Sequence, residues 1–130
     1  MNSKSYQRYF DDKDEEMTFP FIINADSEGN IKKSESAISS FEFKLKETVI
    51  QTNKPDGERN HNCKLLIKVN LTEFSYSFTV VDDIPFVLST EIKVNRFNIV
   101  KLDFESNNFD NKEEVIGTIK LRYEKEKFQV

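Results

Sequence analysis

Three observations predict an all-β fold, an antiparallel β-sandwich of about seven or eight strands, with a barrel as the alternative closure. From Thr18 onward apolar residues recur at every second position. Turn-forming residues interrupt that alternation at fairly even intervals. No stretch beyond Met17 has the 3.6-residue period of an amphipathic helix. A chain of 130 residues is long enough for one self-sufficient core and too short for two domains with a cleft between them. The predicted organisation is an N-terminal arm over residues 1–17 and a single sandwich over 18–130.

The first segment differs from the rest. Tyr6, Tyr9 and Phe10 share one face at helical spacing, and Asp11, Asp12, Asp14, Glu15 and Glu16 follow. A helix here would carry its negative charge at the C-terminal end, where the macrodipole opposes it. The segment is therefore expected to be either a marginal helix or a flexible arm that docks its aromatic rings.

The strands then follow in order. Thr18–Ile23 reads as a strand but contains Pro20, which cannot donate to a ladder and so predicts either an edge strand or one that starts late. Asp26-Ser27-Glu28-Gly29 is a turn whose glycine supplies a positive φ, with a short strand returning over Asn30–Lys33. Residues 38–51 read as one strand, with Phe41, Phe43, Leu45, Glu47 and Val49 on one face and Glu42, Lys44, Lys46 and Thr48 on the other. Residues 53–60 form a long polar loop around Pro55-Asp56-Gly57, the segment most open to proteolysis. Cys63, Leu65, Ile67, Val69 and Leu71 share a face, and the phase then flips to Phe74, Tyr76, Phe78 and Val80. With no Gly or Pro between Leu71 and Phe74, that flip predicts a bulge or kink near Thr72-Glu73 in preference to a tight turn. Asp82–Pro85 is a turn, Phe86–Val94 a strand, and Asn95-Arg96 a turn in which Asn tolerates the left-handed region. Phe97–Glu105 and Glu114–Glu124 complete the set, with Val100, Leu102 and Phe104, and Val115, Gly117, Ile119, Leu121 and Tyr123, facing inward. In the absence of Trp, the strand phenylalanines among the 12 Phe carry most of the burial, each worth roughly 1.5–3 kcal/mol when fully covered.

Composition narrows the function classes. The net charge of −4 disfavours a general nucleic-acid or anionic-membrane binder. A lone cysteine, Cys63, rules out an intramolecular disulfide, and no apolar segment resembles a secretory signal or a membrane helix. The expected setting is cytoplasmic. Phe, Ile, Asn, Lys and Tyr together make up 54 of 130 residues, the bias of an AT-rich genome such as a low-GC bacterium, its phage or a virus.

Residues for chemistry are sparse. His61 lies two positions from Cys63, which on a strand puts both on one face, but Cys63 opens an apolar series and reads as a small core residue. One Cys and one His are too few for zinc, and the acidic run 11–16 lacks the spacing and glycine of a calcium loop. Asp82-Asp83 are adjacent on an extended chain and point apart. With 3 Gly there is no phosphate-cradling loop. Phe74, Tyr76 and Phe78 alternate with Ser75 and Ser77, which marks an inner face and not a base-stacking platform.

The expectation is therefore a non-catalytic protein-protein interaction or assembly module with no cofactor and no metal. A phage or mobile-element structural, inhibitor or immunity protein fits that description. Its partner would be a protein or a second copy, neither nucleic acid nor membrane. The candidate interaction residues are Tyr6, Tyr9, Phe10, Asp11, Asp12, Asp14, Glu15 and Glu16, because exposed edges and arms complete neighbouring sheets. The alternatives are a small-ligand or carbohydrate-binding sandwich, disfavoured by the lack of Trp, and an acidic decoy of nucleic acid built on residues 11–16.

Overall fold

The computed structural model describes residues 7–54 and 58–126. Nine strands run in chain order: β1 Arg8–Tyr9, β2 Glu16–Asn24, β3 Ile31–Ile38, β4 Phe43–Asn53, β5 Asn60–Val69, β6 Thr72–Val81, β7 Phe86–Val94, β8 Ile99–Ser106 and β9 Glu114–Lys125. They form a five-stranded sheet, β1-β3-β8-β5-β6, and a four-stranded sheet, β2-β9-β4-β7. Every pairing is antiparallel except the short β1–β3 contact. The sheets stack as an open β-sandwich, and no helix occurs among the described residues. Alternation dictates this arrangement: Phe19, Phe43, Leu45, Ile50, Leu65, Ile67, Leu102, Phe104, Ile119 and Leu121 all face inward and are almost wholly buried. Pro20 sits on β2, an edge strand, where its missing N–H costs no ladder bond.

Residues 7–17 depart from the helical expectation. Arg8-Tyr9 pairs in parallel with Ala37-Ile38, and β2 begins at Glu16. Phe10 is buried against Phe43, with ring centroids 4.7 Å apart, and edge-on to Tyr123 at 5.3 Å. Extended backbone lets Phe10 turn inward while Tyr9 turns out; a helix would have grouped the two on one face above a run of unfavourable C-terminal carboxylates. The strand expected over Asn30–Lys33 runs on to Ile38. The strand expected from residue 38 begins only at Phe43, because Ser39 turns the chain by hydrogen-bonding within the Ser39–Phe41 segment through its Oγ.

Two phase changes sit elsewhere than the sequence predicts. The flip between Val69 and Phe74 is a tight two-residue turn, Asn70-Leu71, and the β5–β6 register then runs unbroken. Asn70 replaces the missing glycine by adopting φ 53°, and its Oδ1 accepts the Ile99 N–H at 2.9 Å. The bulge lies instead in β4. Lys46 is the extra residue between Leu45 and Glu47 against β9, and the phase reverses behind it. Thr48, Ile50 and Thr52 therefore face the core, while Glu47 leaves it. On the neighbouring strand Glu91 takes φ 45°, and its carboxylate meets Lys44 at 3.0 Å and Lys46 at 3.4 Å. In the β7–β8 turn Phe97, not Asn95, adopts the left-handed conformation, at φ 69°.

Candidate interaction surface

At the end of the sandwich where β4 and β6 finish and β5 and β9 start, five polar side chains form a knot, with Thr52, His61 and Asp82 buried and Arg59 and Glu113 half-buried. His61 on β5 is fully buried and stacks on Phe109 at 4.0 Å. Its Nδ1 donates to the Asn107 carbonyl at 2.7 Å, and its Nε2 meets Asp82 Oδ1 at 2.6 Å. Asp82 also accepts from Thr52 Oγ1 at 3.1 Å and from Arg59 Nε at 2.9 Å. Arg59 turns its other edge to Glu113 in a bidentate pair at 2.7 and 2.8 Å. These hydrogen bonds hold the Glu113 carboxyl at about 2, with burial opposing them in part. Burial alone would raise Asp82, but the bonds from Arg59, His61 and Thr52 outweigh it and hold the carboxyl below its usual range.

This constellation supplies the orienting carboxylate that a catalytic histidine uses, yet both ring nitrogens are spent inside the fold. Cys63 is buried on the same face with its Sγ 3.1 Å from Ser106 Oγ, and burial pushes the thiol up, away from the reactive thiolate. Asp83, next to Asp82, is exposed and points away. The knot ties three connections and one strand to one another: β4–β5 through Arg59, strand β5 through His61, β6–β7 through Asp82, and β8–β9 through Asn107, Phe109 and Glu113. These contacts clamp this end of the sandwich.

The open surface lies along β6. This ten-residue strand pairs with β5 on one side and with nothing among the described residues on the other. The Asp82 N–H donates to the Arg59 carbonyl at 3.1 Å, which continues the ladder and fixes its parity. In an antiparallel ladder alternate residues carry both bonds to a neighbour. Even-numbered residues of β6 therefore bond to β5, and Glu73, Ser75, Ser77 and Thr79 aim their N–H and C=O groups outward. On the core side Phe74, Tyr76 and Phe78 are only half-buried, and Phe78 stacks on Phe86 at 4.8 Å. An open hollow of about 690 Å³ borders this edge on the outer face, lined by Asn62, Lys64, Ser77, Thr79 and Glu105 among others.

The other three edges are guarded. β1 is two residues long, and the stretch of β3 that it leaves open, residues 31–36, carries three charges, Lys32, Lys33 and Glu35. β2 carries Pro20, and Arg8 Nη1 donates to its Thr18 carbonyl at 3.1 Å. β7 is interrupted by the Glu91 irregularity and bears Lys93. β6 has no proline, no glycine and no bulge, and a single charge, Glu73. Such an edge is a ready template for another strand.

The residues singled out from the sequence fall differently. Tyr6 lies outside the described residues. Phe10 is consumed by the chain's own core, whereas Tyr9 is 62% exposed and borders Ile38 in the ladder. Asp12 pairs with Lys125 at 3.6 Å, and Glu16 with Lys120 at 3.6 Å and Arg122 at 3.8 Å. Asp11, Asp14 and Glu15 are exposed in the turn before β2, where the Asp11 carbonyl accepts the Tyr123 hydroxyl at 2.7 Å. The acidic run is thus partly met by this chain's own basic residues. The β6 edge is not visible in the sequence because the Phe74–Phe78 alternation speaks only of faces; edge position follows from strand order.

No protein-family model, no curated protein and no solved structure matches the chain. No helix among the described residues is long and apolar enough to cross a membrane.

Proposed function

We propose that the chain is a non-catalytic protein-binding module that receives an extended segment of a partner as an added strand along β6. The observation that carries this is the contrast between edges: β6 is the one long, regular, unguarded edge among the described residues. Main-chain bonds from Glu73, Ser75, Ser77 and Thr79 would supply affinity, and the half-buried aromatic rows beside them would supply selectivity. The knot supports the reading, since it holds the strand ends in place and leaves His61 and Cys63 committed to structure. The AT-skewed residue usage supports a source in a phage or other mobile element, where small inhibitor, immunity and assembly modules of this kind would serve.

The test is parallel affinity capture from source cells with the native chain and with Ser77→Pro. Proline there removes an outward N–H that β5 does not use, so the ladder survives. A stoichiometric protein retained by the native chain and lost with Ser77→Pro is expected. Equal retention by both, or none by the native chain, would overturn the reading.

A further inference from the structure

Resting on that reading, we infer that the strand which completes β6 is β6 of a second copy of this chain, paired antiparallel about a two-fold axis at Tyr76. The inference comes from how the strand matches itself. The outward-facing residues are all odd-numbered, so a two-fold pairing centred on Tyr76 sets Ser75 opposite Ser77 of the second copy and Glu73 opposite Thr79. Each of these is a hydrogen-bonded pair, giving about eight main-chain bonds across the axis. No like charges meet: the one charge of β6, Glu73, faces a threonine. On the core side Phe74 meets Phe78 and Tyr76 meets Tyr76, so half-buried rings lie beside half-buried rings. On the outer face the directly opposed residues are small or uncharged apart from Glu73, and their exposure leaves room for the second copy. The two five-stranded sheets would then join as one continuous sheet.

The pairing is isologous and closes on itself, which gives a dimer and no filament. An interface made of one strand and its flanking rings is small by the standard of stable complexes, so a dissociation constant on the order of micromolar is expected.

The experiment is sedimentation equilibrium of the full chain from about 1 to 300 μM, with two variants. Ser77→Pro removes an outward amide. The double variant Ser75→Glu with Ser77→Glu leaves the backbone intact. It puts one new carboxylate opposite Lys64 within the chain, and it opposes the two new carboxylates to each other twice across the axis. A concentration-dependent dimer is expected for the native chain. In the double variant it should weaken about tenfold or more; in either variant the melting curve at dilute concentration should be retained. If Ser77→Pro fails to fold, the double variant decides. Register is read by oxidation: a mixture of Ser75→Cys and Ser77→Cys chains should cross-link, since opposed Cα atoms about 5.5 Å apart suit a disulfide, and neither chain alone should. A native chain that stays monomeric throughout overturns self-pairing. Strand addition then stands or falls on the capture experiment. A dimer that survives the double variant, or a Ser75→Cys chain that cross-links to itself, also overturns the inference.

Discussion

Asp82→Ala tests the knot most directly. Asp82 and His61 expose 1% and 0% of their side chains, and one carboxylate accepts from His61, Arg59 and Thr52. Removing it strands a buried imidazole nitrogen and a buried hydroxyl. Leaving these two buried groups unpaired, at about 1–3 kcal/mol each, costs about 2–6 kcal/mol. Arg59 is 23% exposed and keeps Glu113, so it adds little, and the middle of that range, about 3–4 kcal/mol, is expected. Against a total of roughly 5–15 kcal/mol this is a large fraction, and it should lower Tm by about 10–15 °C. Asp82→Asn keeps the volume and one acceptor and should cost about 2 kcal/mol. Glu113→Gln acts on the more open end of the cluster and should cost about 1 kcal/mol. The assay is urea unfolding by far-ultraviolet circular dichroism and tyrosine emission, since the chain has no Trp. A loss below 1 kcal/mol for Asp82→Ala, or a reversed order of the three variants, would refute the view that the knot clamps this end.

The remaining predictions follow from single contacts. Glu113 is held at about 2 in the fold against an ordinary 4.5, so the unfolded chain takes up the proton first. Its stabilisation is complete above pH 4.5 and lost as pH falls toward 2, on the order of 1 kcal/mol because solvent screens the pair at this end of the cluster; melting at pH 5 and pH 3 should show the drop, reduced in Glu113→Gln. Phe10→Ala should cost about 3–5 kcal/mol in urea unfolding, because the ring lies among Phe43 and Tyr123; the same change in a frayed arm would be silent. Gly117→Ala should destabilise by more than 1 kcal/mol, since a Cβ there overlaps the Phe21 ring and the Gln51 carbonyl; an unchanged Tm would contradict this packing. Thr48→Val should stabilise by about 1 kcal/mol, because Thr48 Oγ1 is buried without a hydrogen-bond partner; a loss of stability would show that the hydroxyl has one.

Alternation made the sandwich legible, and the inward series of β8 and β9 came out residue for residue. It failed where the backbone changes phase without glycine or proline. At Asn70 the turn was hidden because asparagine does glycine's work and is tied to Ile99 by its own side chain. In β4 the signal was present: Glu47 sat on an apolar face, and a bulge at Lys46 removes that conflict by turning Ile50 inward. The knot was not legible, because Thr52, Arg59, His61, Asp82 and Glu113 are far apart in sequence and meet only once the sheets stack. The burial of Phe10 was hidden for a related reason, since its partners Phe43 and Tyr123 lie across the whole chain.

The knot and the β6 edge belong to one argument. An unguarded edge binds by main-chain bonds, and each such bond requires the strand to be held in its pleat before the partner arrives. β6 is fixed along one side by β5 through a ten-pair register, at one end by the Asn70 turn, and at the other by Asp82 in the clamp. The polar residues that resemble a catalytic cluster thus sit where they hold the C-terminal end of β6. Loosening that end with Asp82→Asn should weaken association at β6 even though Asp82 touches no partner, whereas Thr48→Val, away from the strand ends, should leave association unchanged while raising Tm. An Asp82→Asn chain that associates as strongly as the native one would separate the clamp from the edge and leave it a role in stability alone.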